Sequence, residues 1–76
     1  MRKSAINKVR KLVSKIDDIV EELNELLEAE QEYFDEKSEA WQESETGEEF
    51  SDKIYKVEEF RDALENASYD ISDMIE

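Results

Sequence analysis

Residues 36–49, EKSEAWQESETGEE, interrupt a helical pattern that otherwise runs through the chain. This stretch holds the only glycine, Gly47, and the only tryptophan, Trp41. Because apolar residues at helical spacing lie on both sides of it, we interpret it as the hinge between two helices. A tryptophan alone in a polar loop would be left exposed, so we expect Trp41 and Phe50 to close the end of the core.

The hinge also contains signals for the start of the second helix. Ser38 and Ser44 are candidate N-caps, and Thr46 with Glu49 matches the capping-box pattern of Ser or Thr followed three residues later by Glu. We therefore expect the second helix to begin between Ser44 and Thr46, with Gly47 in its first turn.

The segment before the hinge predicts one long helix over residues 3–37. Its apolar residues recur at steps of three and four, which is a heptad pattern, at Ile6, Val9, Val13, Ile16, Val20, Leu23, Leu27 and Phe34. A second row repeats every seven residues at Leu12, Ile19, Leu26 and Tyr33. Glu30 interrupts the first row, and we expect it either to tilt to solvent or to meet Lys37.

The segment after the hinge predicts a second helix over residues 47–75. One row repeats every seven residues at Phe50, Val57, Leu64 and Ile71. We expect the other half of this seam to consist of Phe60, Ala67 and Met74, with Ile54 and Ile75 flanking it. Tyr55 and Tyr69 fall on a different face, where they either pack along the flank of the helix or contact a partner.

These patterns predict an all-α fold, a single domain over residues 1–76 built as an antiparallel helical hairpin with its hinge at residues 38–46. The apolar stripe of the first helix is wider than a two-stranded seam requires. We therefore expect two hairpins to pair as a homodimeric four-helix bundle. The predicted core and self-association residues are Leu12, Val13, Ile16, Ile19, Val20, Leu23, Leu26, Leu27, Val57, Phe60, Leu64 and Ile71.

Charge is distributed unevenly along the chain, which has 23 acids and 10 bases. Residues 1–16 carry six bases and no acid, residues 17–49 carry 15 acids and one base, and residues 50–76 carry eight acids and three bases. In an antiparallel hairpin the basic start lies beside the end of the second helix. We expect it to form ion pairs there with Asp62, Glu65, Asp70, Asp73 and Glu76.

The composition excludes several kinds of site. Cysteine and histidine are both absent, which rules out disulfides, zinc thiolate sites and Ser-His-Asp or Cys-His catalysis. No EF-hand loop is present, and a chain this short has little core with which to shape a substrate pocket. We predict a protein that is not an enzyme and has no catalytic, cofactor-binding or metal-binding residues. No apolar run reaches the ~20 residues of a membrane span.

The acidic block is either a solvated face that maintains solubility or a surface that binds a basic partner. We predict the second, with contacts from Glu21, Glu25, Glu28, Glu32, Asp35, Glu36, Glu39, Glu43 and Glu45. Carboxylates on a rigid helix could replace the phosphates of DNA in a nucleic-acid-binding protein. One alternative is an assembly adaptor that packs against a partner helix. Another is a basic N-terminal helix that touches DNA or a membrane, but the net charge of −13 opposes this, so we expect neither contact.

A family resemblance rests on WQESETGE at residues 41–48 and on the spaced residues Val57, Leu64, Ala67 and Ile71. Together with Tyr33-Phe34 and the acids ahead of the tryptophan, residues 28–76 resemble a group of small acidic helical proteins of bacteriophages and mobile elements. The resemblance implies an accessory protein that acts in the cytoplasm of a bacterial host. Small acidic phage proteins include inhibitors of host defence and of host DNA enzymes, some of which mimic DNA.

Overall fold

A computed structural model describes residues 1–75, and this part of the chain folds into helices without any strand. Helix α1 spans Lys3–Asp35, α2 spans Glu39–Gln42 and α3 spans Glu45–Ile75. Helices α1 and α3 pack side by side in a body of 57 × 15 × 14 Å. The predicted all-α hairpin is therefore confirmed. The first helix ends two residues earlier than predicted, and the hinge contains a single short helical turn, α2.

The first apolar row of α1 faces α3, as its heptad spacing predicts. Val13, Val20 and Leu27 are the buried residues of this row, with 9, 7 and 6% of their surface exposed. The other members of the row, Ile6, Val9, Ile16, Leu23 and Phe34, are half-buried. Glu30, which stands where the row expects an apolar residue, is exposed, so its charge stays in water.

The seam of α3 differs from the prediction in one of its two rows. Phe50, Val57 and Leu64 are half-buried as expected, and Ile71 lies at the edge with 37% exposed. The other half is formed by residues four positions after each of these, namely Ile54, Arg61, Ser68 and Ile75. The prediction of Phe60, Ala67 and Met74 in this row is wrong, because all three are exposed, Phe60 at 55% and Met74 at 80%.

Polar groups in the seam give the physical reason for this difference. The Ser68 hydroxyl donates to Asp17 Oδ1 at 2.8 Å, and Arg61 Nη1 donates to Asn24 Oδ1 at 3.1 Å. A third, longer bond joins Arg10 Nη2 to the carbonyl oxygen of Ile75 at 3.4 Å. Along α1 the bonded residues are seven positions apart, at 10, 17 and 24. Their partners on α3 are also seven positions apart and follow in reverse order, at 75, 68 and 61. We call these three bonds the polar ladder; they satisfy the polar side chains of the seam and fix its antiparallel register.

Two serines cap the helices that follow them. The Ser38 hydroxyl accepts a bond from the backbone N–H of Trp41 at 3.2 Å, and the Ser44 hydroxyl accepts one from the N–H of Gly47 at 3.2 Å. Ser44 is thus the N-cap of α3, which begins at Glu45 within the predicted interval. The predicted capping box is wrong, because Thr46 already lies inside the helix.

Gly47 is buried in the first turn of α3, and its side of the helix lies against the backbone of α2. A Cβ at this position would come within 2.7 Å of the carbonyl carbon of Gln42, and closer still to the carbonyl oxygens of Trp41 and Gln42. The glycine is therefore required by close backbone approach, which lets the chain fold back tightly.

Four aromatic rings close the hinge end of the core. Trp41 and Phe50 lie 5.8 Å apart between ring centroids, and Tyr33 and Phe34 complete the cluster at 5.4 and 6.1 Å from Phe50. The ammonium group of Lys37 lies 4.5 Å from the centroid of the Tyr33 ring and 5.5 Å from that of Trp41. Lys37 therefore stacks on the aromatic rings and does not form the predicted alternative contact with Glu30.

The expected ion pairs between the basic start and the end of α3 do not form within residues 1–75. The salt bridges of this part are Lys56–Glu59 and Arg61–Asp62, both within α3. Lys8, Lys11 and Lys15 are exposed and fall on the outer side of α1, turned away from the seam. The expected partner Glu76 lies outside the described residues.

Candidate interaction surfaces

All nine carboxylates predicted to bind a partner are exposed. Five of them follow one another at steps of four and three along α1, at Glu21, Glu25, Glu28, Glu32 and Asp35. This spacing places them in one stripe on the side of α1 that faces away from α3. Glu36, Glu39, Glu43 and Glu45 are exposed at the hinge, just beyond the end of α1. We call these nine residues the acidic surface.

Little positive charge lies near the acidic surface to compensate it. Neither salt bridge within residues 1–75 involves any of its members. Lys37 is the single base between residues 17 and 49, and its ammonium group lies over aromatic rings. The Gln31 amide, which donates to Asp35 Oδ1 at 3.0 Å, leaves that charge in place. The surface therefore presents its carboxylates to solvent at positions held by a helix.

A second surface is apolar, and we call it the apolar face. On α1 it consists of Leu12, Ile19, Leu26 and Tyr33, which are 50, 45, 51 and 48% exposed. On α3 it consists of Phe60, Ala67 and Met74, the row that was expected in the seam. Within residues 1–75 no other element covers Leu12, Ile19 or Leu26, and Tyr33 packs only in part against the aromatic cluster, so about half of each large α1 side chain remains in water.

The two rows of the apolar face lie on the same side of the hairpin. In the register of the polar ladder, Leu26 stands level with Phe60, Ile19 with Ala67 and Leu12 with Met74. A shallow apolar groove of about 150 Å³ supports this placement, because Leu26 and Lys53 both line it. Lys53 stands seven residues before Phe60 and so belongs to the same row of α3. The apolar face is therefore two helices wide.

The opposite side of the seam is polar. A second, more open cleft there is lined by Asp17, Val20, Glu65, Ser68, Tyr69 and Ser72. Tyr69 is 75% exposed and Tyr55 is 60% exposed, so neither ring is packed into the hairpin. The hairpin thus has one apolar and one polar side.

Sequence reasoning missed two features that position these surfaces. One is the polar ladder, whose signal was the seven-residue spacing of Asp17 with Asn24 and of Arg61 with Ser68. The other is Gln42, whose side-chain amide donates to the carbonyl oxygens of Phe34 and Lys37 at 2.9 and 3.1 Å. The Phe34 carbonyl oxygen also accepts from the backbone N–H of Lys37, so Gln42 adds a second bond at the end of α1, and nothing in the spacing of the sequence predicts either Gln42 contact.

No group of three or more acidic side chains within residues 1–75 is arranged to hold a metal ion. No helix in the same range is long and apolar enough to cross a membrane.

The chain was compared with protein-family models, with curated proteins and with solved structures, and none of the three comparisons gave a match.

Proposed function

We propose that this chain is a non-enzymatic interaction protein whose acidic surface binds a basic surface of another protein. The observation that carries the proposal is the exposure of all nine carboxylates without a base in ion-pair contact among residues 1–75. The phage resemblance extends the proposal to a bacterial partner in the host cytoplasm. That partner would be a defence protein or a protein that handles nucleic acid, and the bound chain would inhibit it.

The cost of the acidic surface supports a binding role. Like charges three or four positions apart on a helix destabilise it by about 0.2–0.5 kcal/mol per pair. The stripe from Glu21 to Asp35 contains four such consecutive pairs. A chain that needed acids only for solubility could distribute them evenly along its length. Here 15 of the 23 acids lie in residues 17–49, and residues 1–16 contain none.

The spacing of the stripe suits a basic site that binds nucleic acid. Five carboxylates over 14 residues of helix give about one charge per 4–5 Å of length. One strand of duplex DNA carries one phosphate per about 3.4 Å. A site built to bind phosphates would therefore meet a charge density of the same order, held at fixed spacing by α1. In this form of binding, the acidic surface mimics DNA.

A second candidate is a structural or assembly adaptor that acts through coiled-coil-like packing. The exposure of the apolar face favours it, because that face is suited to helix packing. The two candidates differ in salt dependence. Binding through carboxylates weakens as salt rises, whereas binding through apolar side chains changes little.

The test uses capture from a bacterial lysate on the tagged protein, followed by washes of increasing salt and by competition with duplex DNA. The test variant replaces Glu21, Glu25, Glu28 and Glu32 with Gln. A matched control makes the same change of four charges on α3, outside the acidic surface, with Glu59→Gln, Glu65→Gln, Asp70→Asn and Asp73→Asn. We expect a nucleic-acid-handling or defence protein to be released by salt and by DNA, to be lost with the test variant, and to be retained by the control. Equal capture by both variants would exclude the acidic surface as the contact.

We also propose that the hairpin functions as a homodimer, a four-helix bundle in which the apolar face is covered. Pairing through that face leaves the stripe on α1 open, because the stripe lies toward the outer side of the helix. Membrane and direct nucleic-acid contacts form no part of this proposal.

A further inference from the structure

We infer that two copies of this chain pair through their apolar faces with their hinges at opposite ends of the bundle. The inference rests on the pairing proposed above and adds to it the face that is used and the orientation of the copies. It does not depend on which partner the acidic surface binds.

The shape of the apolar face favours a second copy as its occupant. The face runs from Leu12 to Tyr33 on α1, which is about 30 Å of helix, and its two helices make it roughly 20 Å wide. The resulting area of roughly 600 Å² approaches the ~800 Å² that each partner contributes to a stable interface. A single partner helix would cover one row and leave part of the other in water. A second hairpin presents two rows and covers both.

The distribution of charge selects the orientation. The hydrogen bond between Asn24 and Arg61 divides the hairpin into two halves. The hinge half, residues 25–60, has 14 acids and three bases, for a net charge of −11. The other half, residues 1–24 and 61–76, has nine acids and seven bases, for a net charge of −2. Hinges at the same end would place two strongly acidic halves together, whereas hinges at opposite ends place each acidic half against a nearly neutral one.

The charged row beside the apolar face of α1 agrees with the opposed orientation. This row changes from basic to acidic toward the hinge, through Lys8, Lys15, Glu22 and Glu36. The midpoint of the apolar row lies between Ile19 and Leu26. When a second α1 runs in the reverse direction about that midpoint, Lys8 stands level with Glu36 of the second copy.

The same reversal is favourable on α3. The row beside its apolar residues contains Lys56 and Asp70, and reversal places Lys56 level with Asp70 of the second copy. With the hinges at the same end, Glu36 of α1 would instead face Glu49 of the second copy. Lys8, which makes no ion pair within residues 1–75, thus gains an acidic neighbour across the opposed dimer. Lys15 would gain one, Asp70, only with the hinges at the same end, where each such contact would be offset by a Glu36–Glu49 contact.

The first measurement is the molecular mass by sedimentation equilibrium, with helicity monitored by circular dichroism. We expect the wild type to have twice the 9.0 kDa mass of one chain. Leu26→Glu places a charge in the apolar face and should raise the dimer dissociation constant at least tenfold. Ser14→Glu adds the same charge on an exposed position of α1 outside that face and should leave the constant unchanged. A helical wild type of 9.0 kDa would overturn the inference and leave the face to a partner helix.

The second measurement is the distance between nitroxide labels on the single-cysteine variant Glu39→Cys, which is specific because the chain has no cysteine of its own. Glu39 is exposed at the hinge. Hinges at opposite ends predict a separation on the order of the 57 Å length of the hairpin. Hinges at the same end would give roughly 20 Å, two helix diameters, and would overturn the orientation while retaining the dimer. Both results are independent of the capture experiment, so the two proposals can fail separately.

Discussion

The hydroxyl of Ser68 on α3 donates a hydrogen bond of 2.8 Å to the carboxylate of Asp17 on α1, and Ser68 is 6% exposed. Removal of the acceptor leaves a buried hydroxyl without its partner. We predict that Asp17→Ala destabilises the hairpin by about 1 kcal/mol. The measurement is chemical denaturation followed by circular dichroism.

Asp18→Ala is the matched control for this prediction. It removes the same charge from the next position of the same helix, where the side chain is exposed and makes no hydrogen bond within the described residues. We expect a change within about 0.5 kcal/mol. Equal effects of the two substitutions would mean that the polar ladder contributes nothing to stability.

Gly47 gives a second prediction, at the hinge. Alanine normally stabilises a helix relative to glycine by about 1 kcal/mol. At this position the added Cβ meets the backbone of Trp41 and Gln42, which cannot move aside as a flexible side chain could. We therefore expect Gly47→Ala to destabilise the protein by about 1–3 kcal/mol in thermal or chemical denaturation.

Thr46→Ala tests the same turn without the steric conflict. Thr46 is exposed inside α3, so we expect the substitution to be neutral or slightly stabilising. A loss of stability with Thr46→Ala would instead support the capping box that the sequence pattern predicted.

The aromatic cluster gives a third prediction. Trp41 is half-buried against Phe34 and Phe50, so Trp41→Ala should destabilise the hairpin by about 2 kcal/mol. Trp41→Phe keeps a ring at the site and should lose less than half as much. If both variants unfold at the wild-type denaturant concentration, the cluster does not hold the hinge closed.

Repulsion within the acidic surface gives a fourth prediction. The Gln variant at residues 21, 25, 28 and 32 removes all four repulsive neighbouring pairs of the stripe and should be more stable by about 1 kcal/mol, which raises Tm by several degrees. Salt should raise the Tm of the wild type more than that of the variant, because salt screens the repulsion. A variant with reduced Tm would show that these carboxylates make stabilising contacts.

The sequence predicts this fold well where apolar spacing alone decides the structure. The first row of α1, from Ile6 to Phe34, lies in the seam as its heptad steps require. The gap in the helical pattern, with its single glycine and tryptophan, predicts the hinge, and α3 begins at Glu45 next to the predicted N-cap Ser44. Each of these depends on local spacing or local backbone chemistry, which a single sequence records.

The sequence does not predict which row of α3 faces α1, because this depends on residues of both helices. Apolarity predicts Phe60 and Met74 in the seam. Arg61 and Ser68 occupy it instead, because Asn24 and Asp17 stand opposite them. A seam that accepts polar side chains depends on the partners supplied by the other helix. Apolarity of a row therefore could not distinguish the seam from a second exposed face, and that exposed face is the one that carries the pairing inference.

The acidic surface could be identified from sequence as a set of residues, since charge and helical spacing are both visible there. Its exposure and its lack of ion pairs could not, because both depend on where Lys37 and the basic start lie. Lys37 stacks on Tyr33, and the lysines of the start point away from α3, so neither neutralises the carboxylates.

The most direct test of binding through the acidic surface is the affinity of a purified captured partner for the wild type and for the Gln variant, measured from about 50 to 200 mM salt. If the acidic surface is the contact, wild-type affinity should fall at least tenfold across this range, because salt screens the attraction between the carboxylates and the basic site. The Gln variant should bind weakly at every salt concentration, while the matched control should follow the wild type. Equal affinities of wild type and Gln variant, unchanged by salt, would contradict the account.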